Sequence, residues 1–147
     1  MNEIIIIYMT RKLAVIVLTW KDWQNTLKCL ESIHQQDYNK FKVFIVDNHS
    51  NDETFNKINA WSKNKIKITD KLLKHKNKKL KILDLRKKKL NSNNLNKFKF
   101  IFVENKKNLG CGLGHNSGYK IALKHNFEFI ARIDNDMVLP KKFFFKI

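Results

Sequence analysis

Two aspartates one residue apart, Asp134 and Asp136, end the apolar run Phe129-Ile130-Ala131-Arg132-Ile133. Residues i and i+2 of an extended segment point to the same side, so the two carboxylates can share one ligand. Like charges that close repel, and a cation between them removes the cost. A hard divalent cation with oxygen ligands, itself carrying substrate phosphates, suits such a pair. Two solvated acids in a loop would look the same in isolation, because Asp and Asn are common turn residues. What surrounds the pair decides between the two.

A second stretch with chemical potential is Asn108-Leu109-Gly110-Cys111-Gly112-Leu113-Gly114-His115-Asn116-Ser117-Gly118, which holds all four glycines of the chain. Glycine permits positive φ and close backbone approach, and a glycine-rich turn leading into a helix is a place where phosphates bind. The stretch lacks the Gly-Lys-Ser/Thr ending of a Walker A loop and the G-x-G-x-x-G spacing of a dinucleotide fold. A tight turn with close helix packing is the plainer explanation of the same glycines.

The elements that would position these residues alternate between two periodicities. Lys12–Thr19 is a continuous apolar, β-branched run, as expected of a strand covered on both faces in a parallel sheet. Trp20-Lys21-Asp22 reads as a turn with Asp22 as an N-cap. Trp23, Leu27, Leu30 and Ile33 then follow at helical spacing, to about Gln36, with Trp23 in the core. Phe41–Val46 is a second strand and ends on Asp47. Ser50-Asn51-Asp52-Glu53 has the form of a capping box that starts a helix running to about Trp61. Phe98–Val103 is a third strand, Tyr119–His125 a helix, and Phe127–Ile133 a fourth strand, buried in the sheet. Pro140 suits the first turn of a further helix. Strand and helix in this order mean βαβ units with right-handed crossovers.

Composition narrows the class. The 147 residues suffice for one domain with a core. Cys29 and Cys111 form no metal-like or disulfide pattern, and the five histidines show no ligand spacing. Ile4–Met9 is far shorter than the ~20 apolar residues of a membrane span and lacks the flanks of a signal peptide. Met9 is a plausible alternative start, which would make residues 1–8 an extension. The net charge of +17 is concentrated: residues 62–97 hold 14 of the 30 Lys and Arg and two of the 13 acids, a local net of +12. Codon bias of an AT-rich genome explains this as well as does attraction to anionic headgroups or a phosphorylated substrate. Within this segment the residues fit a basic amphipathic helix, a short strand plus a helix, or a loosely ordered insertion with a loop at Asn91–Asn94.

Four motifs in order, each at the carboxyl end of an expected strand, carry a resemblance. They are Val17-Leu18-Thr19-Trp20, Val46-Asp47-Asn48-His49-Ser50-Asn51-Asp52, Asn108-Leu109-Gly110 with Gly114-His115-Asn116-Ser117-Gly118, and Ile133-Asp134-Asn135-Asp136. Over residues 13–140, apart from the basic segment, the chain resembles family 2 glycosyltransferases of the GT-A fold, with the rhamnosyltransferase-like members most similar. The resemblance implies an α/β, Rossmann-like nucleotide-binding half, its mostly parallel sheet flanked by helices. Residues 1–147 would form a partial GT-A domain with a Lys-rich insertion at about 62–97. Thr19 and Trp20 would line the base pocket, Asp47 would hydrogen-bond the base, and Asn48 and Ser50 would shape that loop. Gly110, Asn116 and Gly118 would form the turn beside the nucleotide. Asp134 would contact ribose or metal, and Asp136 would hold Mg²⁺ or Mn²⁺ on the diphosphate.

The activity so implied is transfer of a sugar from a nucleoside-diphosphate sugar to a glycan or lipid-linked acceptor, in cell-surface polysaccharide synthesis. The expected location is the cytoplasm, with peripheral contact to an anionic membrane through residues 62–97. Three departures stand out: Lys21 replaces the family's usual asparagine, the basic segment is long, and the chain ends soon after Asp136. The family's acceptor half and general base lie beyond that point, so a truncated donor-binding part is expected, with no catalytic base of its own. Two rivals remain. An inactive remnant or partner subunit would bind no donor even with metal, and a nucleic-acid-binding protein would bind in a salt-dependent way through residues 62–97.

Overall fold

The structure, a computed structural model, describes residues 13–144. The expectations for residues 1–8, Ile4–Met9, the alternative start at Met9 and Lys12 lie outside these. The chain order is β1 (Leu13–Thr19), α1 (Trp23–His34), β2 (Phe41–Asp47), α2 (Thr54–Ser62), β3 (Ile82–Asp84), α3 (Ser92–Lys97), β4 (Phe100–Glu104), α4 (Gly110–Gly114), α5 (Asn116–Lys124) and β5 (Phe129–Asp134). The five strands form one sheet in the order β3-β4-β2-β1-β5, with every pairing parallel.

The apolar runs explain the layers. Successive side chains of a strand face opposite sides. In β1, Leu13, Val15 and Val17 pack toward Leu27, Leu30 and Ile33 of α1 and Ile58 and Trp61 of α2. Ala14 and Ile16 face the other way, toward Leu95 of α3 and Ala122 of α5. A strand sandwiched in this manner needs apolar residues at every position.

The strand order creates a crevice. From β1 the chain moves to one side, through β2 and β4, and returns on the other side of β1 as β5. The direction of chain progression across the sheet thus reverses between β1 and β5, and ligands bind outside the carboxyl ends of strands at such switch points. Register aligns the ends: Thr19 pairs with Asp47, Asp47 with Glu104, and Leu18 with Asp134.

Several expectations are corrected. Ser50 does not cap α2; that helix starts at Thr54, and its Ncap Glu53 makes no side-chain cap bond. The Ser50 hydroxyl instead bonds the carboxylate of Asp47, the last residue of β2, while Asp52 Oδ1 accepts from Thr54 N at 2.8 Å. β5 is not buried on both faces. It pairs with β1 alone among the described strands, and Phe129, Ile130 and Arg132 are exposed. Pro140 opens a turn closed by Phe143 N to Pro140 O, rather than a helix over the described residues.

The basic segment has the short strand and helix. Asn91 is the N-cap of α3, its Oδ1 accepting from Asn94 N at 2.8 Å, so Asn91–Asn94 begins a helix where a loop was one reading. The segment is tied to α1 by a buried pair, Lys78 Nζ to Glu31 Oε2 at 2.6 Å. Glu31 also accepts from Trp61 Nε1 at 2.7 Å and from Gln35 Nε2 at 2.8 Å. No described helix is long and apolar enough to cross a membrane.

Candidate functional site

A cleft of about 520 Å³ opens at the switch point. Its walls include Thr19 and Trp20 at the end of β1, Asn48 after β2, Gly110 of the glycine stretch, and Asp134 and Asp136 at the end of β5. Its size lies within the range of small-ligand pockets. Of the residues singled out from the sequence, these six meet in one place. Asp47, Ser50, Asn116 and Gly118 do not line the cleft.

The β1 end is held by hydrogen bonds. Thr26 Oγ1 donates to Asp22 O at 2.6 Å, which leaves its lone pairs for Thr19 Oγ1 at 2.7 Å and Asn135 Nδ2 at 3.1 Å. Asp22 is the N-cap of α1, its side chain accepting from Asn25 N. Its other oxygen accepts from Asn135 Nδ2 at 3.2 Å. Asn135 thus fastens the turn between the two aspartates to the start of α1. Trp20 stands half exposed at the rim (50%) with Lys21 Nζ 5.4 Å from its ring centroid. Lys21 has φ of 52° and donates its N–H to Ser50 Oγ at 2.9 Å. Asparagine, which the family resemblance implies at this position, tolerates such a left-handed backbone better than lysine does.

The β2 end is a closed network. Asn48 Nδ2 donates to Asn108 Oδ1 at 2.9 Å and Gly110 O at 3.2 Å, and its Oδ1 accepts from Asn105 Nδ2 and Leu109 N. An amide side chain has about four bonding positions, so Asn48 is fully engaged in holding the glycine stretch. The Asp47 carboxylate lies behind it, 3% exposed, and accepts from the N–H and hydroxyl of Ser50. Burial raises its pKa above the ordinary carboxylate range, more than the Ser50 bonds lower it, and the nearby Glu104 and Asp52 charges add to the rise.

The glycines divide into two uses. Gly110 has φ of +72° and starts the short helix α4. Gly118 lies against the sheet, where a Cβ would come within 2.6 Å of Ile16 Cγ2, and one on Gly114 within 2.9 Å of Leu18 Cδ2. Gly118 serves close packing of α5 and not a turn.

Asp134 is the last residue of β5, and Asp136 sits in the turn closed by Met137 N to Asp134 O at 3.1 Å. Both are exposed to the cleft, although the second is in a turn and not in an extended segment. Burial pushes the Cys29 thiol beneath them up to about 12, with the charges of Asp136 and Asp134 adding to it. Cys29 is therefore a packed, inert thiol. No cluster of three or more His, Cys, Asp or Glu able to hold a metal occurs among the described residues. Two exposed carboxylates do fit a cation that keeps its waters and is shared with phosphates, as Mg²⁺ commonly is.

Arg132, Asn135, Asn108, Cys111 and His115 also line the cleft and were not singled out from the sequence. Asn108 and His115 sit inside the glycine motif, where they could have been read. Arg132 sits inside an apolar strand, and only the exposed sheet edge makes its position meaningful.

Residues 14–98 match the family model described as glycosyl transferase family 2, and the chain belongs to that family. Its sheet is the Rossmann-like sheet of the GT-A fold. Among solved structures, residues 1–349 of S. aureus TarS are similar at 22% identity and a TM-score of 0.56, covering 89% of this chain and 29% of that one. The same TarS portion in complex with UDP-GlcNAc is similar at 22% identity and a TM-score of 0.57, covering 89% and 28%. The mannosyltransferase PcManGT from Pyrobaculum calidifontis, in complex with GDP-Man and Mn²⁺, is 21% identical with a TM-score of 0.56, covering 88% and 29%. At these identities the likeness is one of fold. The chain spans less than a third of the length of these proteins. No curated protein sequence matches it.

Proposed function

We propose that the cleft binds the nucleoside-diphosphate end of a sugar donor, and that the chain supplies the donor-binding part of a GT-A glycosyltransferase domain. The observation that carries this reading is the meeting of Trp20, Thr19, Asp134 and Asp136 in one cleft at the sheet's switch point. The exposed Trp20 ring offers a face for the base. Asp47, buried behind Asn48 and bonded by Ser50, holds the loop after β2 in shape and does not itself reach the base. Asn48 and Gly110 keep the glycine stretch in place beside the nucleotide, while Asn116 and Gly118 set the helix behind it.

Asp134 contacts the ribose or a cation, and Asp136 holds Mg²⁺ or Mn²⁺. Such a cation, when bound, neutralises charge on the departing diphosphate. The chain's own residues orient the donor and assign no general base. That UDP-GlcNAc and GDP-Man occupy structural neighbours, one of them with Mn²⁺, supports a nucleotide-sugar donor here. The acceptor in this reading is a glycan or lipid-linked sugar, used in building surface polysaccharide at the cytoplasmic face of the membrane. Exposed lysines of residues 62–97, with Leu72 exposed among them, favour contact with anionic lipid over nucleic acid.

Calorimetric titration of UDP, dTDP and GDP into the purified chain, with and without Mn²⁺, tests the donor site. The expected result is binding of one nucleotide, strengthened by Mn²⁺, with the strengthening lost in Asp136→Ala. A folded chain that binds none of them in either condition makes the remnant or partner-subunit reading the better one.

A further inference from the structure

The charge of the cleft sets a problem for any nucleoside diphosphate. Three carboxylates line it, those of Asp22, Asp134 and Asp136, and Arg132 is the one Lys or Arg among the described lining residues. Asp22 is tied to Asn25 and Asn135, which leaves to a ligand the carboxylates of Asp136 and of Asp134, the latter in long contact with Arg132. An anion with about three negative charges would enter a wall that is itself net negative. A divalent cation is one remedy. Arg132 is a second, built into the chain.

Its geometry suits that use. Arg132 precedes Asp134 by two residues on β5 and so shares its side of the strand. Register places it opposite Ile16, two positions before the Leu18–Asp134 pair. The Nη2 lies 3.4 Å from Asp134 Oδ1 and 3.4 Å from Cys111 Sγ, both long contacts, and the side chain is 45% exposed. A guanidinium has five N–H donors; Arg132 lines the cleft, and only its Nη2 has contacts among the described residues. The guanidinium lies beside Cys111 of α4 at the sheet edge and is partly open to solvent. Guanidinium groups bind phosphate oxygens with two parallel hydrogen bonds, which a carboxylate-held cation does not offer.

We infer that Arg132 is a diphosphate-binding residue of this cleft: it bonds the phosphate oxygens directly and lets the nucleotide bind without metal. This rests on the donor-site reading and deepens it. Arg132 and the cation then act on the same anion from the two sides of Asp134. Metal strengthens binding and is not a strict requirement for it.

The test is calorimetric titration of UDP and UMP, and of GDP and GMP, into wild type, Arg132→Gln, Arg132→Lys and Asp136→Ala, in EDTA and in Mn²⁺. Wild type is expected to bind one diphosphate in EDTA, more weakly than in Mn²⁺. Arg132→Gln should lose about 10- to 100-fold of the EDTA affinity, the worth of a hydrogen bond to a charged group. The loss should be smaller for the monophosphate, and smaller in Mn²⁺. Arg132→Lys should recover part of it, and Asp136→Ala should lose the gain from Mn²⁺. Equal EDTA affinity in wild type and Arg132→Gln, or wild-type binding that requires Mn²⁺ absolutely, overturns the role of Arg132 and leaves the donor site standing. Absence of binding to every nucleotide in both conditions overturns the donor site and the inference with it.

Discussion

Gly112 and Gly118 are six residues apart in one motif and do opposite things. Gly118 packs α5 onto β1 and β2: an added Cβ would sit 2.6 Å from Ile16 Cγ2 and 3.2 Å from Val46 Cγ2, both methyls of fully buried β-branched residues. Neither neighbour can swing away, so Gly118→Ala should cost about 1–3 kcal/mol as an overpacked core position. Gly112 has nothing within 4 Å of its would-be Cβ and an unexceptional φ. Gly112→Ala should therefore stabilise by roughly 0.5–1 kcal/mol, because alanine loses less freedom on entering a helix. Urea unfolding of the two variants checks both signs. Equal effects would mean that Gly118 is not set apart by its packing against the sheet.

Helix α1 shows how one element joins the site to the rest of the fold. Its first turn, at Asp22 and Thr26, anchors the Asp134–Asp136 turn through Asn135. Its last turns carry Glu31, fully buried, which receives Trp61 from α2 and Lys78 from the basic segment. Breaking such a buried pair leaves one charge stranded, so Lys78→Met should destabilise by about 3–5 kcal/mol. The double variant Glu31→Gln with Lys78→Met should recover much of that, and chemical denaturation of the set measures the coupling.

The pH dependence follows from the same group. Burial acts to raise the Glu31 pKa, but contacts with Lys78, Gln35 and Trp61 outweigh it and hold the carboxyl below its ordinary value of 4.5. A carboxyl with a folded pKa below its unfolded one stabilises the fold above the unfolded value. That contribution is lost as pH falls through the folded pKa. Wild type should therefore lose stability below about pH 4.5 more steeply than Glu31→Gln, as read from melting temperatures across pH.

For the molecule as a whole, the basic segment is both surface and scaffold. It supplies the edge strand β3, the buried Leu83 and Leu95, and the Lys78 partner of Glu31. Deleting residues 62–97 strips β4 of its outer neighbour β3 and removes Lys78, the cationic partner of Glu31. The deleted chain should fail to melt cooperatively. Replacing only exposed lysines, Lys71, Lys74, Lys79, Lys87 and Lys88, with Gln should leave the melting temperature within a few degrees, since exposed charges contribute little. The same replacement should abolish sedimentation with vesicles containing anionic lipid at low salt, if the peripheral contact proposed above is correct. Retained sedimentation would remove the segment from that role.

The fold class was legible in the chain because parallel strands buried on both faces need unbroken apolar runs, as Leu13–Thr19 and Phe41–Val46 show, and because turn residues follow each run. The two aspartates and the clustered glycines were legible for the same local reason: their residue types suit few backbone settings. Asp22 as an N-cap was local too. Long-range partners were not legible. Ser50 could cap a helix or bond Asp47, and only the packing of the loop against Lys21 N selected the second. Lys78 looked like one basic residue among fourteen until Glu31 met it across the fold. Arg132 acquired a role only when β5 became an edge strand, which depends on the order of strands in the sheet. Local preference selects which elements form. Which side chains face one another is decided by non-local packing, and the cleft with its charge balance is a product of that packing.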